Sequence, residues 1–164
     1  MDQEQKDLVL PRLEVVLVEP EIPPNTGNVA RLCAATRSTL HLVHPLGFKT
    51  DDRHLRRAGL DYWDRVEVRH HAGIDAFLDY AAGRSLLLFS KRARTPYSRA
   101  PFEPGAFLLF GKETRGLPSW LMERYEGRCF SIPMWGDVRS LNLSTAVGIV
   151  VYEGYRQILG ERLF

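Results

Sequence analysis

Five side chains stand out by type and setting: Asn25, Arg31, Glu113, Ser140 and Asn142. All but the arginine fall in three polar, glycine-bearing segments, 19–28 (EPEIPPNTGN), 111–118 (GKETRGLP) and 133–144 (PMWGDVRSLNLS). Arg31 follows just behind the first. Amides, a carboxylate and a hydroxyl supply donors and acceptors, and an arginine supplies a fixed planar cation. Glycines let a backbone come close to a ligand. The chemistry open to such a set is recognition of a polar ligand by loop backbone and amide groups, with a cation at hand.

Other chemistries fail on spacing. No two glycines stand two apart, so there is no dinucleotide-binding GxGxxG. Gly111 and Gly116 have the spacing of a phosphate-binding loop, but Leu117 and Pro118 occupy the positions where Lys and Ser or Thr must hold phosphate and magnesium. No metal is expected: the five histidines include no HExxH, and the neighbours His70 and His71 are not a chelating pair. The nucleophile elbow GxSxG is missing too.

The elements that must position the three segments follow from apolar patterning. Leu13–Val18, Leu40–Val43, Ser85–Phe89 and Ala106–Phe110 read as buried strands, with Cys129–Ile132 a weaker one. Helices are expected near 27–36, 52–58, 73–82, 118–124 and 143–159. Alternation of strand and helix predicts an α/β fold, a mainly parallel sheet flanked by helices. Each polar segment then follows a strand, where open α/β sheets bind ligands. Pro20, Pro23 and Pro24 are read as stiffening the first loop, with Gly27 turning it into the helix. On that helix Val29, Leu32, Cys33 and Thr36 share one face, while Asn28 and Arg31 share another; a capped helix with a solvated arginine would look the same. The last helix carries a main stripe of Leu143, Ala146, Val147, Val150, Val151 and Ile158. Ile149, Tyr152 and Leu159 point elsewhere, which fits either a second subunit or rim packing within one chain.

Length and composition bound the rest. The chain has 164 residues, 45% hydrophobic and 26% charged, ordinary usage for one globular domain. Residues 1–12 are expected to be a tail and 13–164 a single domain. No apolar run is long enough to span a membrane, and the polar N-terminus lacks a secretory core. Two cysteines, Cys33 and Cys129, form no disulfide framework, so a cytoplasmic location with reduced thiols is expected. The formal charge of +2 hides an asymmetry: residues 1–30 carry two bases and six acids, and residues 31–99 thirteen bases and seven acids. The middle of the chain is either a polyanion-binding surface or a solvated arginine-rich face.

Five stretches carry a resemblance: PEIPPNTGNVARLCAAT (20–36), HPLGF (44–48), LRRAGLDY (55–62), LLFGKETRGLP (108–118) and IPMWGDVRSLNLSTAVGIVVYEGYRQ (132–157). In this order they resemble the SPOUT class of RNA methyltransferases, and within it the small bacterial 2'-O-methyltransferases of the tRNA wobble nucleotide, cytidine or uridine. The resemblance implies a C-terminal deep trefoil knot, a homodimer, S-adenosylmethionine as cofactor and the tRNA anticodon stem-loop as substrate. It implies a cofactor pocket formed by Phe89, Gly111, Ile132, Ser140 and Leu141. It also implies a reactive group of Asn25, Arg31, Glu113, Ser140 and Asn142, with Arg31 as general base. A guanidinium resists deprotonation, so a clamp on phosphate or ribose that stabilises the nascent alkoxide is the safer role. Glu113 is assigned to positioning, with a purely structural loop carboxylate as the alternative. Ser140 and Asn142 are also suitable helix N-caps.

RNA contacts are expected from Arg53, Arg56, Arg57, Lys91, Arg92, Arg94 and Arg99, with Tyr152 near the substrate or the dimer seam. Tyr97 and Trp63 are expected to stack on unpaired bases. The sequence departs from the family pattern at Arg37, where glycine usually follows Thr36, and at Gly136, where proline usually precedes Asp137. A 2'-O-methyltransferase of another tRNA or rRNA position, and a catalytically silent RNA-binding dimer, are the competing readings.

Overall fold

The computed structural model describes residues 11–50 and 62–160. The expected helix at 52–58, residues 1–10 of the expected tail and the arginines Arg53, Arg56 and Arg57 lie outside the described residues. Among the described residues, seven strands form one sheet: β1 (Glu14–Val18), β2 (Thr39–Val43), β3 (Val68–His71), β4 (Leu86–Phe89), β5 (Thr95–Pro96), β6 (Phe107–Phe110) and β7 (Cys129–Ser131). Their order is β3-β2-β1-β6-β4-β7-β5, and every pairing is parallel. The helices are α1 (Pro23–Thr36), α2 (Ile74–Tyr80), α3 (Ser119–Arg124) and α4 (Leu143–Leu159).

A parallel sheet must be covered on both faces, and the central strands β4 (LLLF) and β6 (FLLF) are apolar throughout. Residues of β2, β4 and β6 are all buried. One face gathers Val15, Leu17, Leu40, Leu42, Leu87 and Leu108 with Val29 and Cys33 of α1 and Val147, Val150 and Val151 of α4. The other gathers Val16, Val18, Val43, Leu88, Phe107 and Leu109 with Phe77 of α2 and Leu121 of α3. Cys33 and Cys129 are free, buried, and belong to opposite faces. Among the described residues, no helix is long and apolar enough to cross a membrane.

Several expectations shift. Helix α1 begins at Pro23, so Pro23 and Pro24 are its first residues and Gly27 lies within it. The reason is that first-turn N–H groups lack helical partners anyway, and proline's fixed φ suits that place. At the other end Arg37 is left-handed, with φ 55°. That is the conformation in which glycine is cheapest, which accounts for the glycine usual at this position. Strand β3, with sequence VRHH, has no apolar run to announce it. Among the described residues it pairs with β2 alone, and an edge strand tolerates polar residues.

On α4 the main stripe is as expected, but Tyr155 joins it. Its hydroxyl donates to the Thr36 carbonyl at 2.7 Å and tethers α4 to the end of α1. A Cβ on Gly154 would come within 2.9 Å of Leu13 and Phe102, so the helix sits close to β1. Leu159 also packs against this core within its own chain, whereas Tyr152 stays 53% exposed.

A buried polar chain crosses the edge of the sheet. Glu14 only accepts, so His41 donates from Nε2 to its carboxylate at 2.8 Å. On its other side His41 Nδ1 shares a hydrogen bond with His71 Nε2 at 2.9 Å, the donor being set by the tautomers of the two rings. Burial, then the charges of His41, Arg69 and His70, pushes the His71 pKa down from 6.5 to about 4. Burial of Glu14 works against its charge. Even so, the His41 hydrogen bond and charge, with help from Thr39 and Arg84, bring its pKa below the usual carboxylate value.

A histidine that holds its proton less readily when folded contributes stability that is complete above 6.5 and is lost as pH falls through about 4. Glu14 has the same sign in a lower window, losing its contribution as pH falls through its depressed value. Urea-unfolding stability should therefore drop by about 1–2 kcal/mol between pH ~7 and pH ~5, allowing for solvent at the ring edge. His71→Gln, which keeps a polar partner for His41 without a titrating ring, should flatten that drop; equal slopes in the two proteins would contradict the assignment.

Candidate active site

The strand order reverses around β1, β6 and β4, and a cleft opens beyond their carboxyl ends, where open α/β sheets bind ligands. Its volume is about 740 Å³, within the range of small-molecule sites. Phe89 and Phe110, the last residues of β4 and β6, line it together with Ile132, Leu141, Leu143 and Ala146. The loops after β1, β4, β6 and β7 supply the polar walls.

These loops are locked together by one carboxylate. Glu113 accepts from the backbone N–H of Glu21 at 2.8 Å, from that of Ile22 at 3.0 Å and from Asn25 Nδ2 at 3.2 Å. Asn25 turns its Oδ1 to Asn142, which donates from Nδ2 at 2.9 Å. Asn142 in turn caps α4, its Oδ1 accepting from the backbone of Ser144 at 2.9 Å and Thr145 at 3.3 Å. A reciprocal contact runs back, with the Thr114 backbone donating to Glu21 at 3.0 Å. Asn25 is buried and Glu113 half-buried. Three segments far apart in sequence thus converge on a single hydrogen-bonded chain. Three donors thus share the two oxygens of Glu113 and join the loop after β6 to the entry of α1.

Backbone geometry tightens the same loops. A Cβ on Gly111 would lie 2.0 Å from the Gly116 carbonyl carbon, so only glycine fits there. Gly116 itself has φ +68° and closes the turn back onto Lys112. A Cβ on Gly47, in the HPLGF segment, would lie 2.8 Å from Glu21 Cα, and Gly47 N–H donates to the Pro20 carbonyl at 2.9 Å. Glu19 has φ 52°, an uncommon conformation for a side-chain-bearing residue, and its carboxylate pairs with Lys112 at 2.7 Å.

The expected cofactor residues Phe89, Gly111, Ile132, Ser140 and Leu141 all line the cleft, as do Asn25, Glu113 and Asn142. Asn142 is the N-cap of α4, and Ser140 is not. Arg31 is different. It is exposed, is not among the residues lining the cleft, and lies over the Tyr62 ring at 5.0 Å. Six residues along α1 from Asn25 put it about 120° round the helix.

Among the expected RNA contacts, Lys91 and Arg92 line the cleft but also tie it together. Lys91 donates to the Arg139 carbonyl at 2.9 Å, and Arg92 donates to Ser119 at 2.9 Å and to the Leu117 carbonyl. Arg94 and Arg99 are exposed. Tyr97 and Trp63, expected to stack on bases, instead pack half-buried against the core. Trp135, which no periodicity marks, is the most exposed aromatic among the described residues.

The apolar floor and polar rim suit a ligand with one flat apolar part and one charged part, as S-adenosylmethionine has. The SpoU rRNA Methylase family profile matches residues 12–152. An Escherichia coli protein named tRNA (cytidine(34)-2'-O)-methyltransferase is 46% identical over 147 residues, covering 89% of this chain and 94% of that one. A structure described as "Structural insights into the 2-OH methylation of C/U34 on tRNA" is 48% identical, with TM-score 0.88 over 92% of this chain and 98% of that one. An AdoMet-bound rRNA methyltransferase from Sinorhizobium meliloti is 26% identical, with TM-score 0.80 over 93% of this chain and 60% of that one. With cleft, sheet order and profile in agreement, the chain belongs to the SpoU methylase family.

Proposed function

We propose that this chain transfers a methyl group from S-adenosylmethionine to the ribose 2'-hydroxyl of the wobble nucleotide, cytidine or uridine, in the anticodon stem-loop of tRNA. The observation that carries this reading is the Glu113–Asn25–Asn142 chain, which holds the three motif loops around one cleft. The named activity of a relative at 46% identity across most of both chains supports the substrate.

When bound, the cofactor supplies an electrophilic methyl group on a sulfonium whose departure leaves a neutral thioether. The residues of this chain do the rest. Phe89, Ile132 and Leu141 offer apolar contact to the adenine, and the backbone around Gly111 and Ser140 offers groups to read its edge. Glu113, Asn25 and Asn142 fix the loops, so that alignment of oxygen, carbon and sulfur is set before reaction. Arg31 clamps the RNA phosphate or ribose and stabilises charge growing on the 2'-oxygen as its proton passes to a neighbouring RNA phosphate or to water.

Its placement on the far side of α1 from its own cleft supports a homodimer with the site at the subunit boundary, Arg31 reaching a neighbouring cleft. The exposed Tyr152 on α4 belongs to that seam or to the substrate contact. The C-terminal segment is read as a deep trefoil knot. Passage of residues 132–142 beside the 111–118 loop, with both lining one cleft, fits that reading. One domain in the cytoplasm, where tRNA is modified, completes it.

Incubation with labelled S-adenosylmethionine and unmodified tRNA, followed by nucleoside mapping, tests the proposal. The label is expected on a wobble ribose; a methyl on a base, or on no tRNA, would overturn it. Arg31→Lys keeps the charge but loses the planar fork, and should cost on the order of tenfold or more in rate with cofactor affinity retained. Gly111→Ala should abolish cofactor binding in calorimetry, because its Cβ cannot be placed without moving the Gly116–Leu117 backbone.

A further inference from the structure

Trp135 is 92% exposed, against 42–62% for the other exposed large hydrophobic residues among those described. It does not hang on a loose flap. Its neighbour Met134 lines the cleft, the Arg139 carbonyl is held by Lys91 at 2.9 Å, and Val138 N–H closes a turn onto the Gly136 carbonyl at 3.0 Å. Farther along, Asn142 is pinned to Asn25. The loop is thus tied at several points and presents an indole to water at the edge of the cleft.

The surroundings say what the indole meets. Lys91, Arg92, Arg115 and Arg139 line the cleft together with Lys112, which pairs with Glu19, and Glu113 is the single acid lining it. That carboxylate is already engaged by three donors. Asp137 is the one acid on the loop itself. An aromatic face beside a concentration of cations matches a strand whose phosphates are anionic and whose bases are flat. A protein partner chosen for apolar burial would not call for that charge.

We propose that Trp135 stacks on an unpaired nucleobase flanking the ribose that enters the cleft, and so sets the register of the RNA. This rests on the methyl-transfer reading above and adds a residue to its substrate recognition. Stacking is sequence-tolerant, so Trp135 fixes where a strand lies more than which base it carries.

The test measures affinity for a fluorescein-labelled anticodon stem-loop by anisotropy in wild type, Trp135→Ala and Trp135→Phe. Cofactor affinity by calorimetry and mass by sedimentation are recorded for each. Trp135→Ala is expected to weaken RNA binding about tenfold, Trp135→Phe by about threefold or less, with cofactor affinity and mass unchanged. Unchanged RNA affinity in Trp135→Ala overturns the proposal. So does a parallel loss of cofactor affinity, which makes the indole a cover for the cleft, or a fall in mass, which makes it a subunit contact. The two readings separate cleanly. Stem-loop binding that depends on Trp135 without methyl transfer defeats the methyl-transfer reading alone, and transfer with Trp135-independent affinity defeats this one alone.

Discussion

One carboxylate holds the site together. Glu113 reaches from the loop after β6 to two backbone N–H groups at the start of α1 and to Asn25, and Asn25 passes the connection to Asn142 at the start of α4. Each partner is itself fixed by a helix terminus. Pro23 and Pro24 set the first turn of α1, and Asn142 caps the first turn of α4. The bonds of Glu113 to Glu21 and Asn25, and of Asn25 to Asn142, are partly buried, so an unmet donor or acceptor there would cost more than at the surface. The sheet supplies the strand ends, and this chain of contacts makes their loops into one cleft.

The same arrangement divides labour within the site. Groups near the cleft floor are apolar or backbone, which suits a cofactor that brings its own reactive group. The cations stand at the walls and rim. Two of them, Lys91 and Arg92, bind loop carbonyls as well, so the basic character of the rim and the closure of the loops are not separable. Arg31 stands apart, stacked on Tyr62, and α1 geometry keeps it from the cleft of its own chain.

Much of this was legible in the sequence where one residue type had one local reason. The central strands declared themselves by continuous apolar runs, and the three loops by glycine next to amides and acids. Gly111 had a spacing that mimicked a phosphate loop, and its true reason is a backbone approach of 2.0 Å that no pattern reveals. Strand β3 was hidden because edge strands need no apolar run, and the entry to α1 because its prolines serve equally in a loop and in a first helical turn. Tyr97 and Trp63, expected to stack on bases, lie half-buried against the core, while Trp135, flanked by Met and Gly, gave no signal of its exposure. Strand order and the Glu113–Asn25–Asn142 chain are long-range facts. Contacts across 88 and 117 residues leave no periodic trace.

The central claim is that three loops act as one through this carboxylate and two amides. A double-mutant cycle on cofactor affinity, with Glu113→Gln, Asn142→Ala and the pair, measures that coupling directly. Loops joined in one chain predict that the second substitution costs little once the first has broken it, a coupling of about 1 kcal/mol or more. Losses that add to within roughly 0.5 kcal/mol would show independent loops and contradict the account.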